Sequence, residues 1–265
     1  MTSGNSINAN QAGIQYFDGA ATWTGIPNPT YVGELLSFSG TSPPNYRSIF
    51  KEIYLVDDFI HGASSCALGW ATTVASSGTA TSGNGNTLSP GLFQLTNGGS
   101  TTGKAGVFMV GGPIALGGGA ISLQYYMSTS ALSTLAQTYT IRFGLADTSS
   151  IFGDPTDGLW FSYTDAGATP NWVINQAKGS GTVSATSNLA YPSNTFKRIR
   201  IDINAAGTSA QFFVNDVELN VSPLSGSIPT VAMAPFFQFV KSTGTTTITL
   251  NCDFFTFYQN LTASR

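Results

Sequence analysis

The sequence predicts an all-β protein, an antiparallel β-sandwich preceded by an extended N-terminal arm, and three stretches carry that prediction. Phe196 to Asn204 (FKRIRIDIN), Ser209 to Val217 (SAQFFVNDV) and Thr245 to Tyr258 (TTTITLNCDFFTFY) alternate apolar and polar residues with period two. A strand turns successive side chains to opposite sides, so each stretch offers one face to a core and the other to water. Between them Asn204 to Gly207 and Asn215-Asp216 supply residues that tolerate the backbone angles of turns. Half-buried strands of this kind bury their apolar faces by packing sheet on sheet.

Taken in order, residues 1–52 read as the arm and residues 53–265 as the sandwich domain. The arm has a polar start, an apolar patch from Ile14 to Phe17, an Asp18-Gly19 turn, Trp23, and a run rich in Pro and Ser from Pro27 to Pro44. Repeated prolines withhold backbone donors and favour extended geometry, so this segment is expected to build no sheet of its own. Ile14, Tyr16, Phe17 and Trp23 are its candidate anchors, apolar side chains able to fill pockets of an adjacent subunit. Beyond it, strands are expected near Ile53–Phe59, Gly69–Ala75, Leu92–Thr96, Ala105–Met109, Ala120–Met127, Tyr139–Leu145, Gly158–Tyr163, Asn171–Gln176, Thr182–Thr186, Phe196–Asn204, Ser209–Val217, Ala234–Lys241 and Thr245–Tyr258. Ser76 to Asn86 and Gly111 to Gly119 read as glycine-rich loops. Ala131 to Gln137 reads as a single helical turn.

Charged residues are 9% of the chain against 42% hydrophobic, so the surface must be built from Ser, Thr, Asn, Gly and Gln. A surface with few ions loses little solvation on meeting another subunit, which favours lateral assembly. The formal net charge of −3 and the lack of Lys/Arg clusters argue against nucleic acid as a partner. Arg198 and Arg200 share one strand face and read as a solvated outer face. No apolar run is long enough to span a bilayer, and Met1 to Asn10 has neither a charged leader nor a hydrophobic segment. Synthesis in the cytosol and release by another route are therefore expected, with no membrane partner. Cys66 and Cys252 are expected to be two buried free thiols rather than a bridge.

An ordered series of short motifs resembles a known family. DDF (Asp57 to Phe59), GW (Gly69-Trp70), PGLFQL (Pro90 to Leu95), GLWFSY (Gly158 to Tyr163), NWVI (Asn171 to Ile174), IRIDIN (Ile199 to Asn204), FFVND (Phe212 to Asp216), Ile228-Pro229 and CDFFTF (Cys252 to Phe257) together resemble the concanavalin A-like jelly-roll domains of tailed-phage fibre and decoration proteins. The head of the chain, INANQAGIQYFDGAATWTG (Ile7 to Gly25), is similar to segments near the start of phage-type virion proteins. The resemblance implies a virion structural protein on capsid or tail, self-assembled as a homo-oligomer, often a trimer in that family, with other virion structural proteins as partners. It also implies, as the alternative, a receptor-binding lectin at a fibre tip that recognises host cell-surface glycan. The calcium and manganese loops of plant lectins have no counterpart in the sequence.

Enzymes with this jelly-roll shape use two carboxylates on one strand face. Glu34, Glu52 and Glu218 each lack a carboxylate two or four residues away on a strand, and Asp57 and Asp58 point to opposite faces. His61 is the sole histidine, which leaves a loop residue beside Cys66 as the better reading than a Cys–His dyad, and argues against zinc, which takes several His, Cys or carboxylate ligands. No catalytic residue and no cofactor are therefore expected. Asp147, Asp154 and Asp157 are weak calcium candidates, since Asp in DPTDG equally serves a tight turn. For sugar, the need is an exposed aromatic platform edged by planar polar groups. Trp160, Tyr163 and Trp172, with Asp165 and Asn171 as hydroxyl partners, are the candidate glycan-binding residues; in GLWFSY, Trp160 and Ser162 share the face opposite Phe161 and Tyr163, so one aromatic set could be exposed, while core packing between the sheets is the better reading for most of these aromatics.

Overall fold

The computed structural model describes residues 51–60, 69–82, 85, 89, 91–110, 114–147, 152–164, 170–224 and 228–263, and the backbone of 15–17, 23–25, 34–37 and 45–48. The chain divides into two compact units, Met1–Glu52 with Ser264–Arg265, and Ile53–Ala263. In the first, β1 (Gln15–Phe17) pairs antiparallel with β2 (Trp23–Gly25), and β3 (Glu34–Ser37) with β4 (Asn45–Ser48). The expectation that this segment forms no sheet is thereby corrected. The four paired stretches contain no proline and keep every backbone donor, while Pro27, Pro29, Pro43 and Pro44 fall between them in the sequence.

The second unit carries fifteen strands: β5 (Glu52–Asp57), β6 (Trp70–Ala75), β7 (Thr79–Thr81), β8 (Phe93–Thr96), β9 (Lys104–Met109), β10 (Gly119–Thr129), β11 (Tyr139–Ala146), β12 (Gly158–Thr164), β13 (Asn171–Lys178), β14 (Gly181–Ala190), β15 (Lys197–Ile203), β16 (Ala210–Val214), β17 (Val217–Glu218), β18 (Ala234–Lys241) and β19 (Thr249–Leu261). An eight-stranded sheet runs β17-β16-β15-β10-β19-β8-β7 with β5 also on β19, and a seven-stranded sheet runs β14-β13-β12-β11-β18-β9-β6. The ladders are antiparallel, and among the described residues there is no helix.

The period-two reading explains the core. Ile199, Ile201 and Ile203 of β15 point inward beside Leu123 of β10 and Phe255 and Phe257 of β19, and from the other sheet Ile141, Phe143, Phe161 and Phe239 meet them. Aromatic rings fill the thickest part edge to face, the arrangement their quadrupoles favour. Trp70 meets Phe255 at 4.9 Å and 87°, and Tyr139 meets Phe239 at 4.8 Å and 83°. Asp57 anchors one end of this cluster. Its buried carboxylate accepts from the Phe59 backbone N–H at 2.9 Å and from Trp70 Nε1–H at 3.0 Å.

Two sequence expectations change here. Ala131 to Gln137 is not a helical turn: Thr134 and Gln137 exchange backbone hydrogen bonds at 3.2 and 3.1 Å, closing a tight turn at Leu135-Ala136. The loop expected at Ser76 to Asn86 contains β7, whose three residues find a partner in β8. Cys252 is a buried free thiol, as expected, and burial pushes it far above the ordinary thiol range; Cys66 lies outside the described residues.

Candidate functional site

Each sheet has an outer face, and the two faces differ in what covers them. On the seven-stranded sheet the register sets Phe108, Phe236, Gly144, Trp160 and Asn175 in one row across β9, β18, β11, β12 and β13. The next row holds Gly106, Gln238, Arg142, Ser162 and Val173. Residues 152–157 strap part of this face: Gln238 Nε2 donates to Gly153 O at 2.8 Å, Arg142 pairs with Asp154 at 2.6 Å, and the Lys104 ammonium lies over the Phe152 ring at 5.7 Å. A small apolar cluster of Ala146, Trp160, Ala177 and Phe236, with Phe108 against it, forms on this outer side.

The aromatics are packed rather than exposed, as core packing predicts for most of them. Trp160 does sit opposite Phe161 and Tyr163, on the outer face, yet it is only 1% exposed. Tyr163 and Trp172 are equally buried, both within the inter-sheet core, where Tyr163 stacks on Tyr191 at 4.0 Å and Trp172 meets Phe161 at 5.8 Å. None of the three is an exposed platform. Asn171 spends its amide on Ser187 O at 2.8 Å. Asp165 and Ile14 lie outside the described residues, as do the side chains of Tyr16, Phe17 and Trp23.

The calcium candidates have separate tasks. Asp147 N–H donates to Asp157 O at 3.0 Å, Asp154 holds Arg142, and Asp157 Oδ1 accepts from Gly179 N–H at 3.1 Å. Among the described residues no three His, Cys, Asp or Glu side chains gather as a metal-holding group.

The outer face of the eight-stranded sheet is the better site. Register places Ser122 opposite Asp202 and Tyr258, and Gln124 opposite Arg200 and Thr256. Ser122, Gln124, Arg200, Asp202 and Tyr258, with Ala120, Ile121 and Ile203, line an open groove of about 440 Å³. Its polar floor is pinned in place. Ser122 Oγ donates to Asp202 Oδ1 at 2.7 Å, and Asp202 pairs with Arg200 Nε at 3.0 Å. Arg200 Nη1 pairs with Asp216 at 2.8 Å, Arg198 pairs with the other oxygen of Asp216, and the Arg200 guanidinium lies 4.2 Å from the Phe213 ring centroid. Tyr258 walls the groove, with Tyr54 of β5, well exposed, edge-on to Tyr258 at 6.5 Å, and on the same sheet Tyr126 stacks on Phe196 at 5.0 Å and 23°.

Beside this face β19 carries a bulge, because its register with β10 shifts between Tyr126 and Met127 and skips Asp253. Burial lifts the Asp253 carboxyl above its usual range, Asp58 adds to the lift, and a hydrogen bond from Ser89 Oγ at 3.2 Å opposes it. A carboxyl with a raised folded-state pKa binds its proton more tightly when folded, so ionisation costs stability above that pKa and the cost disappears below the unfolded value. Asp253→Asn is therefore expected to raise the urea midpoint at pH 7, and the gain over wild type should vanish as pH falls through the ordinary carboxyl range. A gain that persists at pH 3 would refute the electrostatic origin.

The family comparison bears on the same strands. A family model described as SO2946-like, C-terminal domain, matches residues 89–253, more than half of the chain. The chain belongs to this family. Curated protein sequences contain no match to this SO2946-like chain. Solved structures share its architecture at low identity. SO2946 from Shewanella oneidensis MR-1, a protein of unknown function, is 13% identical with a TM-score of 0.58, over 81% of this chain and 89% of that one. The endo-1,3-beta-glucanase from Streptomyces sioyaensis is 11% identical, TM-score 0.55, over 84% and 100%. The Emp47p carbohydrate recognition domain is 12% identical, TM-score 0.54, over 81% and 97%. At these identities the likeness shows the fold, a concanavalin A-like jelly roll.

Proposed function

We propose that this SO2946-like protein is a non-enzymatic structural subunit of a phage or phage-like particle, and that its sandwich recognises carbohydrate through the outer face of the eight-stranded sheet. The observation that carries the binding half is the groove walled by Tyr258, against which Tyr54 stands edge-on, and floored by Ser122, Gln124, Arg200 and Asp202. A sugar ring offers a flat C–H face to an aromatic wall and a rim of hydroxyls to fixed donors and acceptors, and this groove holds both kinds of group within one register. That the Emp47p domain is a carbohydrate recognition domain and the Streptomyces protein an endo-1,3-beta-glucanase supports the choice of ligand class.

The carboxylate inventory of the groove favours binding over hydrolysis. Glycoside cleavage wants one carboxylic acid kept protonated beside a second, ionised one. Among the residues that line the groove Asp202 is the one carboxylate, and it is already held by Arg200 and by Ser122 Oγ–H. The particle half of the proposal rests on the motif series and on a surface with few charges, which suits packing among other subunits.

Titration of host-surface glycans into the full chain tests the binding half. Tyr258→Ala and Asp202→Ala are each expected to weaken binding by at least about tenfold, equivalent to about 1.4 kcal/mol, with circular dichroism unchanged. Equal binding by both variants, or release of reducing sugar by the wild type, refutes it. Mass spectrometry of purified particles tests the particle half, and absence of the chain from them defeats it.

A further inference from the structure

The polar floor of the groove on the eight-stranded sheet is mostly committed to itself. Five polar side chains line the groove: Ser122, Gln124, Arg200, Asp202 and Tyr258. Ser122 Oγ–H is spent on Asp202, Asp202 is paired with Arg200, and Arg200 is paired again with Asp216. Gln124 is different. Among the described residues its carboxamide bonds to no side chain or backbone group. Yet it lies half-buried on that floor, with Arg200 of β15 opposite it on one side and Thr256 of β19 on the other.

The charges around the groove leave no cation to spare for an acidic ligand. Arg198 and Arg200 stand on this face, and each is matched by an aspartate, Asp202 or Asp216. Register then sets Phe213 opposite Arg200 and Glu218 opposite Phe213, so Glu218 adds a further carboxylate to the same face, where it accepts from Gln211 Nε2 at 3.1 Å. Three carboxylates thus accompany two guanidiniums. An anion entering the groove would meet Asp202 on its lining and compete with it for Arg200. Like charges brought together are a penalty that an uncharged ligand escapes.

We infer that the groove takes an uncharged glycan, and that Gln124 selects it by gripping two neighbouring hydroxyls of a pyranose lying on Tyr258. The inference rests on the carbohydrate reading of this groove. A carboxamide presents an acceptor and a donor side by side in one plane, so Oε1 accepts from one hydroxyl while Nε2 donates to the next. A vicinal diol is the group that answers both. Tyr258 pairs with Ser122, two positions along β10 from Gln124, and such diagonal neighbours on one face lie about 7–8 Å apart. One pyranose ring with its hydroxyls fills that span. Ser122, Arg200 and Asp202 hold the shape of the floor through their mutual contacts, and Gln124 is left to read the sugar.

Calorimetric titration of the full chain tests it with matched probes: gluco-, manno- and galacto-oligosaccharides against the uronic acid oligosaccharides of the same configuration, which differ in charge at the carbon outside the ring. The neutral sugar that binds is expected to do so at least about tenfold more tightly than its acidic counterpart, with the gap narrowing as salt screens the repulsion. Gln124→Leu and Gln124→Ala, with circular dichroism as the check on folding, are each expected to weaken the neutral sugar at least about tenfold. Monodeoxy analogues of that sugar decide the role of Gln124. Loss of either of two adjacent hydroxyls is expected to cost the wild type affinity and to cost the two variants nothing. Acidic probes that bind equally or more tightly overturn the inference and leave the carbohydrate reading standing. A deoxy penalty that persists in both variants overturns the assignment to Gln124. Binding of none of the probes, neutral or acidic, overturns the carbohydrate reading and this inference with it.

Discussion

Replacing Asp57 by Ala is expected to cost about 2–4 kcal/mol of folding stability, read as a lowered urea midpoint with an unchanged slope. The carboxylate is only 3% exposed, and it satisfies two donors that water cannot reach: the backbone N–H of Phe59 and the indole N–H of Trp70. Phe59 has a left-handed backbone, with φ of 53°, so its N–H is held by a local geometry that an unbranched chain would not choose unaided. Loss of Asp57 orphans both donors at once. It also frees the Trp70 ring, which packs edge-on against Phe255 and Phe237 in the thickest part of the core. Asp57→Asn keeps one acceptor but turns an amide N–H₂ toward a donor, so about half the loss is expected to remain. A change of under about 0.5 kcal/mol in the Ala variant, the size of an ordinary surface substitution, would show that Asp57 does not hold the core in this way.

Gly144→Ala is expected to be at least as damaging, costing about 3 kcal/mol or more, at the upper end of what overpacking does. Gly144 sits in mid-strand between Phe236 and Trp160, with φ of 155°. A Cβ there would lie 2.2 Å from Leu159 O and 2.8 Å from Trp160 Cα, and both are backbone atoms that no side-chain rotation can move. Nor is the strand free to retreat. The Tyr125 hydroxyl reaches across from the other sheet and donates to Gly144 O at 3.0 Å and to Phe236 O at 3.2 Å, tying β11 and β18 to β10. The variant is expected to lose its near-ultraviolet dichroism before its far-ultraviolet signal, as side-chain packing fails while strands persist. A well-folded variant of wild-type midpoint would contradict the register of β11 and β12.

The legibility of the chain follows how far apart the interacting residues lie in sequence. The faces of β15 and β12 were readable because period two is a property of neighbours: Ile199, Ile201 and Ile203 turn inward, and Trp160 parts from Phe161 and Tyr163. Whether Trp160 meets water was not readable, because residues 152–157 cover that face by contacts with Gln238 and Arg142 on β18 and β11. The groove escaped notice for the same reason. Ser122, Arg200, Tyr258 and Tyr54 belong to four strands, and each alone looks like an ordinary outward residue of a half-buried strand. Arg200 was read as a solvated charge, and only strand pairing sets Asp202, Asp216 and Phe213 around it.

By itself, the sequence determined the architecture: alternation and turn residues are local, and hydrophobic burial leaves two-layered sheets as their outcome. Tertiary structure alone decided which face stays open and which aromatics are sealed. Those outcomes depend on strand order, and strand order is set by the summed packing of residues more than a hundred positions apart, such as Gln94 with Asn251 or Asn97 with Ile248.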